Sequence, residues 1–325
     1  MSELPQGIDS FLSGTDWADA DIEPLPGDAS FRRYFRLRRG TESALLMDAP
    51  PPEEDTGPFL DVGDWLSANG HRAPQTYAAD RERGLVLIED FGVDRMRDWL
   101  DDNPEAETQT YRAAVDALVS LHRSPPGPFA PYDMPVYQRE AALLTEWYCP
   151  NAGLDVDQDA FAAAWDEALA PMIERQQPGV TVLRDYHAEN IMLLPNGGQG
   201  LIDYQDALVG HAAYDLVSLL QDARRDVSPE LERAMLDHYA SQADIDDEFE
   251  ADYARLGAQR NAKIVGIFTR LSKRDGKDRY LAMIPRVWEA MERDLAHPAL
   301  APVAEWFAAN IPQELRDGRG VFASV

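Results

Sequence analysis

Residues 183–190 read Leu-Arg-Asp-Tyr-His-Ala-Glu-Asn, and the apolar run Ile191-Met192-Leu193-Leu194 follows them. Asp185 and Asn190 stand five positions apart, and thirteen residues after Asn190 the stretch Gly200-Leu201-Ile202 ends in an acid, Asp203. Moving a phosphoryl group onto a hydroxyl needs a carboxylate beside the attacking oxygen and two hard oxygen ligands for Mg2+ on the nucleotide phosphates. Asp185 fits the first role, and Asn190 and Asp203 fit the other two. Taken alone, Asp185 could be a turn residue and Asn190 a strand cap, because short polar side chains favour turns. The second acid, placed just after a hairpin pattern, is what the bland reading does not explain.

Other residues take supporting roles in this scheme. His187 lies two positions beyond Asp185 and either steadies the transferring phosphate or hydrogen-bonds the loop. Asp215, twelve residues after Asp203, either caps a helix or braces the loop. Gly27-Asp28-Ala29-Ser30 sits between two predicted strands, and its small residues would let backbone N–H groups approach phosphate oxygens. Asp90-Phe91-Gly92 spells a kinase magnesium motif. It precedes the catalytic loop instead of following it, so the hinge is its expected place, with backbone groups of Glu89 and Phe91 meeting adenine. Gly197-Gly198-Gln199-Gly200 has no helix after it and reads as a hairpin turn. Gly276-Lys277-Asp278 lacks the ends of a P-loop, there is no G-x-S-x-G or HExxH, and the six histidines have no metal-ligand spacing.

The elements that must position these groups come from periodicity and turn chemistry. Residues 8–20 read as an amphipathic helix, 31–37 and 44–47 as a hairpin, 57–69 as a helix closed by Asn69-Gly70, and 85–88 as a buried strand. Helical periodicity runs through 108–122, 161–176, 213–223, 229–240, 252–272 and 281–294, interrupted by a strand at 180–183 and a hairpin at 196–198. The expectation is an α+β chain of two parts: a small β-rich N-lobe over residues 1–92 and a larger, mainly helical C-lobe over 93–325. A nucleotide is expected between them.

Composition sets outer limits. At 325 residues and 45% hydrophobic the chain can bury a substantial core. The net charge of −28 opposes binding to nucleic acid, whose phosphates such a surface repels. No apolar run approaches the ~18 residues of a membrane span, and no secretory signal is visible. The single cysteine, Cys149, suits a reducing cytoplasm and reads as a small, partly buried thiol beside Trp147 and Tyr148 and not as a nucleophile. Against the acidic background, eight basic residues lie between Arg255 and Arg279. They are either solvated salt-bridge partners or, for some, contacts to an anionic acceptor. Lys263 and Arg270 are seven apart and share one helix face.

LRDYHAENIML, LIDYQDA and YDLVSLL resemble the aminoglycoside phosphotransferase and choline kinase family, which has a protein-kinase-like bilobal fold. Its catalytic loop commonly reads H-G-D-x-H-x-x-N. Asp185, His187 and Asn190 match, while Leu183 and Arg184 replace the first two positions. GDASFRRYFRL, LLMDAPP and KIVGIFTRLSKRDGKDRYL are similar to a bacterial branch that phosphorylates the anomeric hydroxyl of N-acetylmuramate and N-acetylglucosamine in cell-wall recycling. The resemblance covers roughly residues 22–312. It implies ATP and Mg2+ as cofactors and a small amino sugar as acceptor. It leaves two rivals: a kinase of another small hydroxyl compound, and a nucleotide-binding pseudokinase. The latter is suggested because the third strand, ending Leu45-Leu46-Met47-Asp48, lacks the usual phosphate-holding lysine. Arg32 and Arg33 are the nearest cations in sequence, and as neighbours on a strand only one of them can face the nucleotide.

Overall fold

Alternation of apolar and polar residues over 33–48 builds the first hairpin. Strand β2 (Arg33–Arg39) turns at Gly40, whose φ is +60°, into β3 (Glu42–Asp48), with Phe35 opposite Leu46 and Leu37 opposite Ala44. These four side chains are fully buried. The computed structural model, which describes residues 4–26 and 31–321, sets this hairpin in a five-stranded antiparallel sheet. The order is β1 (Asp21–Pro24), β2, β3, β5 (Leu85–Glu89), β4 (Thr76–Asp80). Ile8, Leu12 and Trp17 close one face of it. Helix Gly57–Ala68 buries Phe59, Leu60, Val62 and Leu66.

The described chain forms two compact units. The first takes residues up to 102 together with 189–207, and the second takes 103–188 and 208 onward. In the first unit, strands β7 (Ile191–Leu193) and β8 (Gln199–Leu201) form a hairpin. The turn at Gly197 is left-handed, with φ +81°, as the glycine-rich turn reading requires. The hairpin is tied down by Leu193 N–H to Asp94 O at 2.8 Å and Leu201 N–H to Arg72 O at 2.8 Å. Gly200 is needed here for a different reason. A Cβ on it would lie 2.5 Å from the ring of Phe91.

The second unit is helical around Phe249–Asp275, a 27-residue helix with most of its residues buried. It stops at Gly276 in the left-handed conformation, φ +67°, the usual C-terminal glycine device. Two short strands, β6 (Val180–Val182) and β9 (Leu208–Gly210), pair antiparallel beneath the loop of interest. Cys149 is buried, and burial pushes its thiol up to about 12, as befits an inert packing group. No helix among the described residues is long and apolar enough to cross a membrane.

The periodicity reading is corrected in several places. The first helix ends at Leu12 instead of reaching residue 20, because Gly14 and the following turns break it. Strands β1, β4 and β9 carry no sequence signal. β1 is mostly exposed and ends in proline, and β4 and β9 are short strands whose pairing is set by their neighbours.

Candidate functional site

Beyond Val182 the chain enters the predicted loop through a strained residue. Arg184 has φ +71°, a conformation costly for any side chain larger than glycine, at the position where the family pattern has glycine. The surroundings hold it there. Asp215, in the first turn of helix Ala213–Leu220, accepts the Leu183 N–H at 2.7 Å and the Arg184 N–H at 2.8 Å. Its role is therefore the brace and not the cap. The Arg184 guanidinium pairs with Glu140 and lies 5.7 Å from the Tyr132 ring centre. At the loop's far end Asp222 accepts the N–H groups of Ala188 at 3.2 Å and Arg224 at 2.8 Å. Two buried carboxylates thus peg residues 183–188 at both ends.

Between the pegs stands Asp185, its side chain 41% exposed and 3.9 Å from the Arg260 guanidinium. Partial loss of water around it would by itself raise its carboxyl. Lys263, His187, Arg260 and Arg184 together outweigh that and bring it down to about 2. The group is ionised throughout the working pH range and is a weak base. That suits orienting a hydroxyl more than removing its proton early. His187 is buried, its Nε2 3.4 Å from Arg224 Nη1. Lys263 is also buried, with its ammonium 3.0 Å from Glu140, which additionally accepts from Tyr132 and Arg184. Arg270 is partly exposed, and its Nε is buried without a hydrogen-bond partner among the described residues.

Asp215 gives a pH signature. Burial raises its carboxyl to about 7, against the lowering effect of the two N–H donors and Arg260. A raised folded-state pKa favours the fold at pH below the unfolded value near 4, and that advantage is lost as pH climbs through about 7. The stability of the wild-type chain relative to Asp215→Asn is therefore expected to fall between pH 4 and 7 and stay level above. Three pKa units correspond to about 4 kcal/mol. Urea unfolding of both proteins across pH 4–8 checks this, and a flat difference would exclude the brace as the titrating group.

The first unit holds the other predicted residues. The Asn190 carbonyl accepts from Ile202 N–H at 3.1 Å, which sets the end of the β7–β8 hairpin. Asp203 follows with φ +58°, and its carboxylate, 47% exposed, accepts from Gln205 at 3.0 Å. Arg32 points its guanidinium to the same carboxylate at 3.7 Å and to Glu54 at 3.6 Å. Arg33 turns instead to Asp48, with a 2.8 Å bond from Nε. The two neighbouring arginines thus have different carboxylate partners. Glu89 donates its backbone N–H to Gln75 O at 2.8 Å and pairs through its side chain with Arg72. Phe91 is buried with Arg72 4.6 Å from its ring centre. The loop candidates Gly27, Asp28, Ala29 and Ser30 lie outside the described residues.

Sequence reasoning passed over Glu140, Asp222 and Glu54. Glu140 and Asp222 are acids buried in their unit, and each partners a cation or backbone N–H distant in sequence. Asp222 follows Asp215 by seven residues, a helical repeat that would have pointed to it.

A model of the phosphotransferase enzyme family matches residues 21–258. A protein of Caulobacter vibrioides named N-acetylmuramate/N-acetylglucosamine kinase is 36% identical, with the match covering 97% of this chain and 99% of that one. Among solved structures, a choline kinase from Streptococcus pneumoniae aligns with a TM-score of 0.61 at 15% identity, covering 90% of this chain and 97% of its own. An ADP-bound aminoglycoside phosphotransferase aligns with a TM-score of 0.61 at 14% identity, over 92% and 98%. The fold is protein-kinase-like, and the chain belongs to the phosphotransferase enzyme family as a kinase that transfers phosphate to a hydroxyl acceptor.

Proposed function

We propose that the chain transfers the γ-phosphoryl group of ATP to the anomeric hydroxyl of N-acetylmuramate and N-acetylglucosamine, in the cytoplasm, as part of peptidoglycan recycling. The observation that carries this reading is the ring of cations around Asp185. Arg184, Arg260 and Lys263 bear on one carboxylate in a chain of net charge −28. Such a ring favours an anionic acceptor and repels a polycation. The Caulobacter relative, similar over nearly the whole chain, supports the same substrates.

Asp185 orients the sugar hydroxyl and receives its proton as the bond to phosphorus forms. His187, held by the loop and by Arg224, stabilises the loop around that carboxylate. An adenine at the hinge would use the Phe91 N–H and backbone carbonyls, because the Glu89 N–H is already bonded to Gln75. Asn190 and Asp203 would hold Mg2+, which supplies charge neutralisation on the phosphates. The donor set fits that ion. Asp203 offers a carboxylate and Asn190 an amide oxygen, both hard oxygen donors. Mg2+ commonly binds through one or two side chains and completes its shell with phosphate oxygens and water.

N-acetylmuramate differs from N-acetylglucosamine by a lactyl carboxylate, for which a guanidinium can offer a bidentate pair. Arg270 has a guanidinium nitrogen lacking a hydrogen-bond partner among the described residues, whereas Lys263 is already bonded to Glu140. Arg270→Ala is expected to raise KM for N-acetylmuramate about 10-fold, the worth of a charged hydrogen bond, and to leave N-acetylglucosamine nearly unaffected. The deciding experiment is an acceptor screen with the phosphorylated position read by phosphorus NMR. Both sugars phosphorylated at the anomeric oxygen and kanamycin ignored is the expected pattern. Efficient phosphorylation of an aminoglycoside with neither sugar accepted would overturn the substrate assignment.

A further inference from the structure

We propose that Arg32, shared between Glu54 and Asp203, replaces the missing strand lysine as the cation on the nucleotide phosphates, and that before nucleotide arrives it guards Asp203 against bare metal. The inference rests on the ATP-kinase reading and deepens it.

The placement of the guanidinium carries the argument. Strand β3 offers no cation, and Arg33 is committed to Asp48. Arg32 has its side chain 15% exposed and sits 3.7 Å from Asp203 Oδ1 and 3.6 Å from Glu54 Oε2. Both are ion-pair distances, and both lie beyond hydrogen-bond length. Its Nε is buried with no hydrogen-bond partner among the described residues. Beyond a hydrogen bond with Tyr34, the group is held by charge between two carboxylates while its Nε donor is unused among the described residues. A planar fork in that condition is suited to the oxygens of a phosphate, which accept two parallel N–H bonds.

Charge balance says what else belongs there. Burial disfavours the Arg32 charge, and Tyr34, Asp203, Glu54 and Asp206 more than offset this. Three carboxylates act on one guanidinium, an excess of two negative charges that a divalent cation would offset. Arg32 and a metal on Asp203 are then competitors when no nucleotide is present. A nucleotide removes the competition, because its phosphates accept the guanidinium and ligate the metal together. Glu54 is the positioning residue: it draws the guanidinium away from Asp203.

The test measures Mn2+ binding by electron paramagnetic resonance, with and without ADP, so that no turnover is needed. For Arg32→Ala, Mn2+ alone is expected to bind about 3–10-fold more tightly, and ADP in the presence of Mn2+ about 10-fold more weakly. Arg33→Ala should match the wild type in both. Arg32→Lys, keeping the charge without the fork, should keep bare-metal affinity low and recover only part of the ADP affinity. Glu54→Gln should weaken binding of bare Mn2+, opposite in sign to Arg32→Ala, because the guanidinium then has only Asp203. Thermal melting of each variant controls for folding. Arg32→Ala equal to wild type in both measurements, or Arg32→Ala and Arg33→Ala alike, would overturn the proposal. Failure of the wild-type chain itself to bind ADP with Mn2+ would overturn the kinase reading, and this inference with it.

Discussion

Asp185→Asn is expected to lower kcat by about 10²–10⁴-fold, the usual cost of losing a general base, while ATP affinity stays nearly unchanged. The substitution keeps the side chain's volume, and the loop stays pegged by Asp215 and Asp222, so geometry should survive. Two things are lost. The first is the acceptor for the hydroxyl's proton. The second is the negative charge that Lys263, Arg260 and Arg184 face together, since Glu140 compensates only part of theirs. The carboxyl's position at about 2 makes the prediction more specific. A weak base aligns the nucleophile and takes the proton late, as suits a loose transition state in which positioning supplies most of the gain. Single-turnover rates with ADP affinity measured in parallel decide the matter. Near-normal turnover in the variant would remove Asp185 from the base role.

What could be read from the sequence divides by the range of the physics involved. The hairpin at 33–48 follows from local alternation, and the strong period at 252–272 predicts the long helix, with only its ends extending to Phe249 and Asp275. Spacing could suggest that Asp185, Asn190 and Asp203 act together, since the residues lie within one short stretch. It could say that Arg32 and Arg33 point apart, but their partners, Asp48, Glu54 and Asp203, lie 15 or more positions away. Glu140 was invisible for the same reason: its partners are Tyr132, Arg184 and Lys263, and only the fold assembles them. The replacement of the family glycine by Arg184 looked like a simple departure from pattern. The structure shows its physical content, a left-handed backbone retained without glycine and supported by Asp215 and Glu140.

Asp203→Asn is expected to cut metal-dependent turnover by about 10³-fold, equivalent to about 4 kcal/mol of lost charge stabilisation. Asn is the informative replacement. Asp203 has φ +58°, and Asn visits that region readily while Ala does not, so Asp203→Asn removes charge at constant backbone and Asp203→Ala adds strain. The two variants should thus both lose activity, with Asp203→Ala also less stable to heat. Asn190→Ala should cost less, because a neutral amide oxygen contributes less to a hard cation than a carboxylate does. A magnesium titration of each variant separates ligand from bystander. A lost ligand shifts the midpoint to higher metal concentration and lowers the plateau, whereas a bystander leaves the midpoint in place. Arg32 sharpens the reading, since it loses one of its two carboxylate partners when Asp203 becomes neutral. In Asp203→Asn the guanidinium is left to Glu54, so ADP should bind without metal about as well as it does to the wild type, while the enhancement by metal disappears. An unshifted magnesium midpoint in Asp203→Asn would exclude the ligand role.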